Sequence, residues 1–144
     1  MNINFKTTVC VIVLFTQTFV AFSQCKSNAK KCIPELFPYT LSDELNSVQM
    51  TEDVTSDLLL TFFSGQDYRV IVCTPAGLGN IEFKVKDVRE HVVFNSKDHN
   101  YAQSWDFKVS ATDDYFIELN LVNTSADAKK KLKGCVTVLV GFKM

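Results

Sequence analysis

Through most of this chain the apolar residues fall at every second position, a period that builds strands facing a core on one side. Ile81, Phe83 and Val85 alternate with Glu82, Lys84 and Lys86. Trp105, Phe107 and Val109 alternate with Asp106 and Lys108, and Tyr115, Ile117, Leu119 and Leu121 with Phe116, Glu118 and Asn120. Two further runs, Leu58 to Phe63 and Cys135 to Phe142, are apolar at consecutive positions, as strands covered on both faces would be. Those two runs are expected at central positions. One outer face then needs a cover, either the Ile33 to Tyr39 segment or a partner.

Turn chemistry separates these runs. Ser64-Gly65-Gln66-Asp67 predicts a hairpin between residues 58–63 and 68–73, and Asp113-Asp114 marks the turn before residues 115–121. Thr74 to Asn80 is a loop by its proline and glycines. Pro34 and Pro38 exclude a regular helix or central strand over Ile33 to Tyr39. A helical turn is expected across Ala126 to Leu132. The sum is an all-β antiparallel β-sandwich or jelly roll of about seven or eight strands.

Residues 1–23 read as a cleavable signal peptide. Lys6 supplies a short charged start, Val9 to Phe15 the apolar stretch, and Ala21 and Ser23 the small residues a signal peptidase reads before Gln24. Thr16, Gln17 and Thr18 interrupt the stretch short of the roughly 20 apolar residues a spanning helix needs. Lipidation of Cys25 would call for a small residue before it, and Gln24 stands there. The expected division is signal peptide 1–23, a disulfide-containing segment 24–44 and a sandwich domain 45–144, in a secreted or periplasmic setting. Of 15 basic and 16 acidic residues in the chain, only Lys6 leaves with the leader. That balance points to no nucleic-acid partner, and Lys129, Lys130, Lys131 and Lys133 read as a solvated loop.

Cys10 also leaves with the leader, so four of five cysteines remain. An even number in an exported chain favours a disulfide framework. Cys25 and Cys32 lie close in a lysine-rich segment, while Cys73 and Cys135 border apolar strands. The favoured pairing is Cys25–Cys32 with Cys73–Cys135, the alternative a crossing from Cys25 or Cys32 to the sheet. Cys73 and Cys135 could also be buried thiols. Cys-x-x-Cys is missing, which disfavours zinc.

Few residues offer chemistry. His91 and His99 have no ligand-like spacing and read as surface histidines. Ser64 lacks the nucleophile elbow, and Gly77-Leu78-Gly79-Asn80 precedes a strand where a phosphate cradle would precede a helix. The remaining candidate is a ligand or calcium loop of Asp98, His99, Asn100 and Tyr101, or Asp113 with Asp114; no other cofactor and no other metal is expected. Trp105 reads as core, with Tyr101 and Tyr68 as exposed stacking candidates. Asn123-Thr124-Ser125 fits a glycosylation sequon.

The run Phe63 to Cys73 with Gly134 to Phe142 resembles small exported proteins of Bacteroidetes. It also resembles pre-peptidase C-terminal domains, in which Gly-x-x-Tyr-x-Val begins a strand, as Gly65-Gln66-Asp67-Tyr68-Arg69-Val70 does here. That resemblance implies a β-sandwich accessory module without catalysis. The expected function is an exported, non-catalytic binding or structural module for a protein, a glycan or a small apolar ligand, with dimerisation through an apolar sheet face as an option. The alternative is a small secreted hydrolase that uses His99 with dispersed carboxylates.

Overall fold

A computed structural model describes residues 21–42, 44–122 and 131–144, with the side chains of 21–24 set aside. Most of the expected leader, the Asn123 sequon and most of the turn expected over 126–132 lie outside the described residues. Among the described residues the first element is helix α1 (Ala21–Cys32), which passes into a 3-10 turn (Ile33–Leu36). Nine strands follow: β1 (Thr40–Leu41), β2 (Asn46–Thr51), β3 (Ser56–Phe62), β4 (Asp67–Cys73), β5 (Asn80–Asp87), β6 (Val92–Asn95), β7 (Ser104–Lys108), β8 (Asp113–Val122) and β9 (Lys133–Lys143).

They form a β-sandwich of two antiparallel sheets. In the first, β9 is flanked by β4 and then β7 on one side, and by β1 and β2 end to end on the other. The second runs β3-β8-β5-β6. Alternation decides what meets in the middle: Val70, Val72, Val136, Val138 and Val140 pack with Phe62, Phe83, Val85, Ile117 and Leu119. Truncating Phe62 or Phe83, both fully buried, would cost about 3–5 kcal/mol.

Two expectations about connectivity need correction. Residues 58–63 and 68–73 are not a hairpin: β3 pairs β8 in one sheet while β4 pairs β9 and β7 in the other. The Ser64–Gln66 turn arches between the sheets, so Phe62 and Tyr68 meet edge to face across the core, centroids 4.8 Å apart. The same holds for the turn before Asp113, which carries the chain from β7 in the first sheet to β8 in the second. A tight polar turn serves pairing or arching equally well, so the turn residues did not distinguish them. Nor is β3 central. It is an edge strand, with Leu58 and Leu60 packed on the core and Leu59 turned outward.

By contrast, β9 is central and apolar on both faces, as expected. Its outer face and that of β4 present Leu139 and Ile71, and here the N-terminal segment lies as a strap: Ala29, Cys32, Ile33, Leu36 and Leu41 pack on them. The spacing Cys25, Ala29, Cys32, Leu36 puts those residues on one side of the strap, the stripe a helix buries. Gly141 permits the close approach, since a Cβ there would stand 2.8 Å from Tyr39 Cβ and 2.9 Å from Leu36 Cδ2.

The strap also corrects the cysteine pairing. The bonds are Cys25–Cys135 and Cys32–Cys73, with Cα separations of 5.4 and 6.0 Å. Cys25 and Cys32 occupy one helix seven positions apart, about 10 Å along its axis, beyond the reach of a disulfide. Cys73 and Cys135 share the outer faces of β4 and β9 with Ile71 and Leu139, so each looks up at the helix. The two bonds bridge sequence separations of 110 and 41 residues, worth about 5 and 4 kcal/mol taken singly in the chain-entropy model.

Peptide mapping of the unreduced protein will therefore yield Cys25 linked to Cys135 and Cys32 linked to Cys73; a Cys25–Cys32 peptide would refute this arrangement. Gly141→Ala will lower stability by about 1–3 kcal/mol through overpacking under the strap, read from denaturant midpoints. An unchanged midpoint would show that the strap does not press on β9.

Candidate functional site: the open edge of the sandwich

On one side the sandwich does not close. There β9 meets β1 at Gly141 and Phe142 and β2 from Lys133 to Val138, so Leu139 and Val140 lie between the two strand partners. Among the described residues, one backbone bond crosses the gap, from the Ser42 amide to the Val140 carbonyl at 2.8 Å. The facing edge of the second sheet is β3, and β2 and β3 do not pair. Between them runs a groove of about 520 Å³, lined by Glu44, Asn46, Leu59 to Phe63, Tyr68, Val140 and Phe142. A second hollow of about 260 Å³ adjoins it at Asn46, bounded by Val48, Leu58, Leu119 and Val138. Leu59 (54 % exposed) and Phe63 (57 % exposed) stand beside the groove.

The four sheet edges are not alike. β6 has four residues and a register shift against β5, and β7 carries Asp106 and Lys108 outward. Short length, irregularity and outward charge are the usual guards against strand addition. β3 runs for seven residues, Ser-Asp-Leu-Leu-Leu-Thr-Phe, without lysine or proline. It carries one outward charge, Asp57, and its free side is less guarded than those of β6 and β7. The arch at its end is firmly built: the Tyr68 hydroxyl accepts the Phe63 amide at 2.9 Å and donates to Gln66 Oε1 at 2.9 Å. Tyr68 is thus 4 % exposed, which corrects its reading as an exposed stacking residue.

The loop proposed from sequence lies elsewhere. Ser96 to His99 form a 3-10 turn after β6, capped by Asn95, whose side chain accepts the Lys97 amide, and closed by Asn100 in the left-handed region. The buried Ser96 hydroxyl accepts the Phe83 amide at 2.8 Å and fixes the loop to β5. Asp98, His99 and Asn100 are exposed and Tyr101 is half-buried. Asp113 and Asp114 open β8, where they pair with Phe62 and Thr61 of β3. Asp98 follows the strand at one edge of that sheet and the Asp113–Asp114 pair adjoins the strand at the other, so the fold does not unite them. Asp114 is engaged by the Thr61 hydroxyl. Among the described residues, no group of three or more His, Cys, Asp or Glu side chains could hold a metal ion.

His99 ends a ladder of rings. It stacks on Phe94 (centroids 5.1 Å), Phe94 on Trp105 (4.8 Å) and Trp105 on Phe107 (4.3 Å). Trp105 therefore has both faces covered by protein. The hollow beside this ladder, about 290 Å³, holds one carboxylate, Asp106. Both oxygens of Asp106 accept from Arg69, Nε to Oδ1 and Nη2 to Oδ2 at 2.7 Å each. An acid/base pair with His99 would need a second carboxylate and a free first one. His91 bonds Asp87 at 3.2 Å in a separate turn.

Arg69 is the residue that sequence reading missed. Its Nη1 donates to the carbonyls of Glu35 and Phe37 at 3.0 Å each, and its guanidinium lies 4.7 Å from the Tyr39 ring centre. It clamps the far end of the strap to the sheet and to β7. Its signal was an arginine within the apolar run Tyr68 to Cys73, opposite an aspartate, Asp106.

No protein-family model matches the chain, and no curated protein matches its sequence. Among solved structures, the fold is similar to that of Aeromonas hydrophila PliG, a periplasmic lysozyme inhibitor of g-type lysozyme, with a TM-score of 0.51 and 14 % identity. The similarity covers 74 % of this chain and 89 % of that one.

The hydrogen bonds from Arg69 hold the Asp106 carboxyl below the usual carboxylate range. A depressed folded-state pKa adds stability above the unfolded value and loses it as pH falls through the folded one. The difference in stability between the protein and its Asp106→Asn variant will accordingly shrink as pH drops from about 5 to 2. A difference that is constant over that range would show that the pair is not coupled to folding.

Proposed function

We propose that the protein is an exported, non-catalytic binding module that takes a protein partner at the open edge between β2 and β3. The observation that carries this reading is the free β3 edge above a 520 Å³ groove, flanked by outward-facing Leu59 and Phe63. Exposed apolar side chains beside a concavity are what a protein interface buries. An edge with unused backbone donors and acceptors can add a partner's strand.

Three further observations support it. Two disulfides suit an oxidising compartment, and no helix of the described residues is long and apolar enough to cross a membrane. PliG, whose fold is similar, is an inhibitor of g-type lysozyme, hence a protein-binding protein. A protein partner is preferred to a glycan because Trp105, the chain's one indole, is already stacked between Phe94 and Phe107. In its specific form, the partner is a secreted lytic enzyme of the g-type lysozyme class.

The test is the lytic rate of g-type lysozyme titrated with the protein. The expected result is stoichiometric inhibition, weakened at least tenfold (about 1.4 kcal/mol) by Leu59→Glu with Phe63→Glu. Full lytic activity in molar excess of the protein would overturn the lysozyme assignment, and equal potency of the variant would move the site away from this edge.

A further inference from the structure

The strap presents a second surface, on the opposite side from the sandwich core. Because α1 buries Ala29 and turns Cys25 and Cys32 to the sheet, its other face carries Lys26, Ser27, Lys30 and Lys31, all exposed. None of these three lysines has an ion-pair partner among the described residues. The strap runs along β9 from Cys135 to Gly141, and exposed lysines stand at both ends of that strand, Lys133 and Lys143. Glu35 is the one acid of residues 25–37. Asp106 and Asp67, near Tyr39, are paired with Arg69 and Lys108, so in a chain of formal net charge −1 the unpaired charge along the strap is basic.

Beyond the lysines stands Phe37, 82 % exposed. Its backbone is held: the amide bonds the Pro34 carbonyl at 3.3 Å, and its own carbonyl accepts from Arg69 at 3.0 Å. Tyr39 follows, with Lys143 over its ring at 5.3 Å. A bare phenyl ring on a fixed backbone, roughly 15–20 Å along the strap from Lys26, has no role in packing this domain.

We propose that this surface docks the protein peripherally on an anionic lipid bilayer. Lysines at the headgroup level are attracted to anionic phosphates, and a ring among them enters the boundary between headgroups and acyl chains. The lysines alone would serve any polyanion. Phe37 is the observation that selects lipid, because a soluble polyanion gives an exposed ring nothing to bury. The disulfides hold both parts of the surface on one rigid layer. The open edge between β2 and β3 is left clear, so this proposal does not rest on the partner-binding reading.

The test is co-sedimentation of the protein, recovered from the exported fraction, with vesicles of phosphatidylcholine alone or with one-quarter phosphatidylglycerol. Binding to the anionic vesicles at low salt is expected, with release in high salt and little binding to pure phosphatidylcholine. Lys26→Gln with Lys30→Gln and Lys31→Gln should weaken partitioning by more than about tenfold. Phe37→Ser should weaken it about fivefold or more while leaving the salt dependence in place. Thermal melts of both variants matching the parent exclude misfolding, and Leu59→Glu should bind vesicles as the parent does. No binding to anionic vesicles at low salt would overturn the proposal, as would unchanged binding of the lysine variant. Phe37→Ser binding as tightly as the parent would overturn it in favour of a plain polyanion surface.

Discussion

β9 and the Val70–Cys73 half of β4 are apolar on both faces, so neither can be a strand of a simple two-layer sandwich with one side in water. Val70, Val72, Val136 and Val138 fill the core, while Ile71 and Leu139 point the other way and must also be covered. The strap answers that need. Once it lies across the outer face, Gly141 has to be a glycine, Cys73 and Cys135 have to face outward, and the arginine of β4 has carbonyl groups to grip. The two disulfides convert a short helix, marginal on its own, into a fixed third layer.

The strands were legible because period two is a local property: Ile81 to Val85 and Tyr115 to Leu121 show it in the residues themselves. The bare strap over Ile33 to Tyr39 was also within reach, since two prolines and several apolar residues leave little else for such a segment to do. Pairing was not legible. Whether Ser64 to Asp67 folds a hairpin or an arch depends on which sheet receives β4, and that is decided by β9, some 70 positions away along the chain. The cysteine bonds failed for the same reason. Cys25 and Cys32 look adjacent in sequence, yet a helix between them sets them apart, and the spacing Cys25, Ala29, Cys32, Leu36 was its only trace.

The site was less legible than the fold. The loop from Asp98 to Tyr101 draws the eye by composition, but capping by Asn95, the buried Ser96 hydroxyl and the left-handed Asn100 account for its residues structurally. The open edge has no signature in composition: its groove exists because β1 and β2 divide one side of β9 and leave a gap. Leu59 and Phe63 read as core in a two-sided apolar run, and only the edge position of β3 shows that they face outward. The two proposed surfaces lie on different parts of the fold, one at the β3 edge and one on the strap.

The claim on which the account rests most heavily is that residues 25–41 are a layer of the sandwich and not a tail. Hydrogen exchange followed by mass spectrometry, on the protein with its disulfides intact and after their reduction, tests it directly. In the oxidised protein, amides of α1 and the following turn should be protected along with those of β4 and β9. After reduction they should lose protection first, while β5 and β8 keep theirs. If the strap exchanged at the rate of unstructured chain while the disulfides were intact, the outer face of β9 would need another cover and the account would fail.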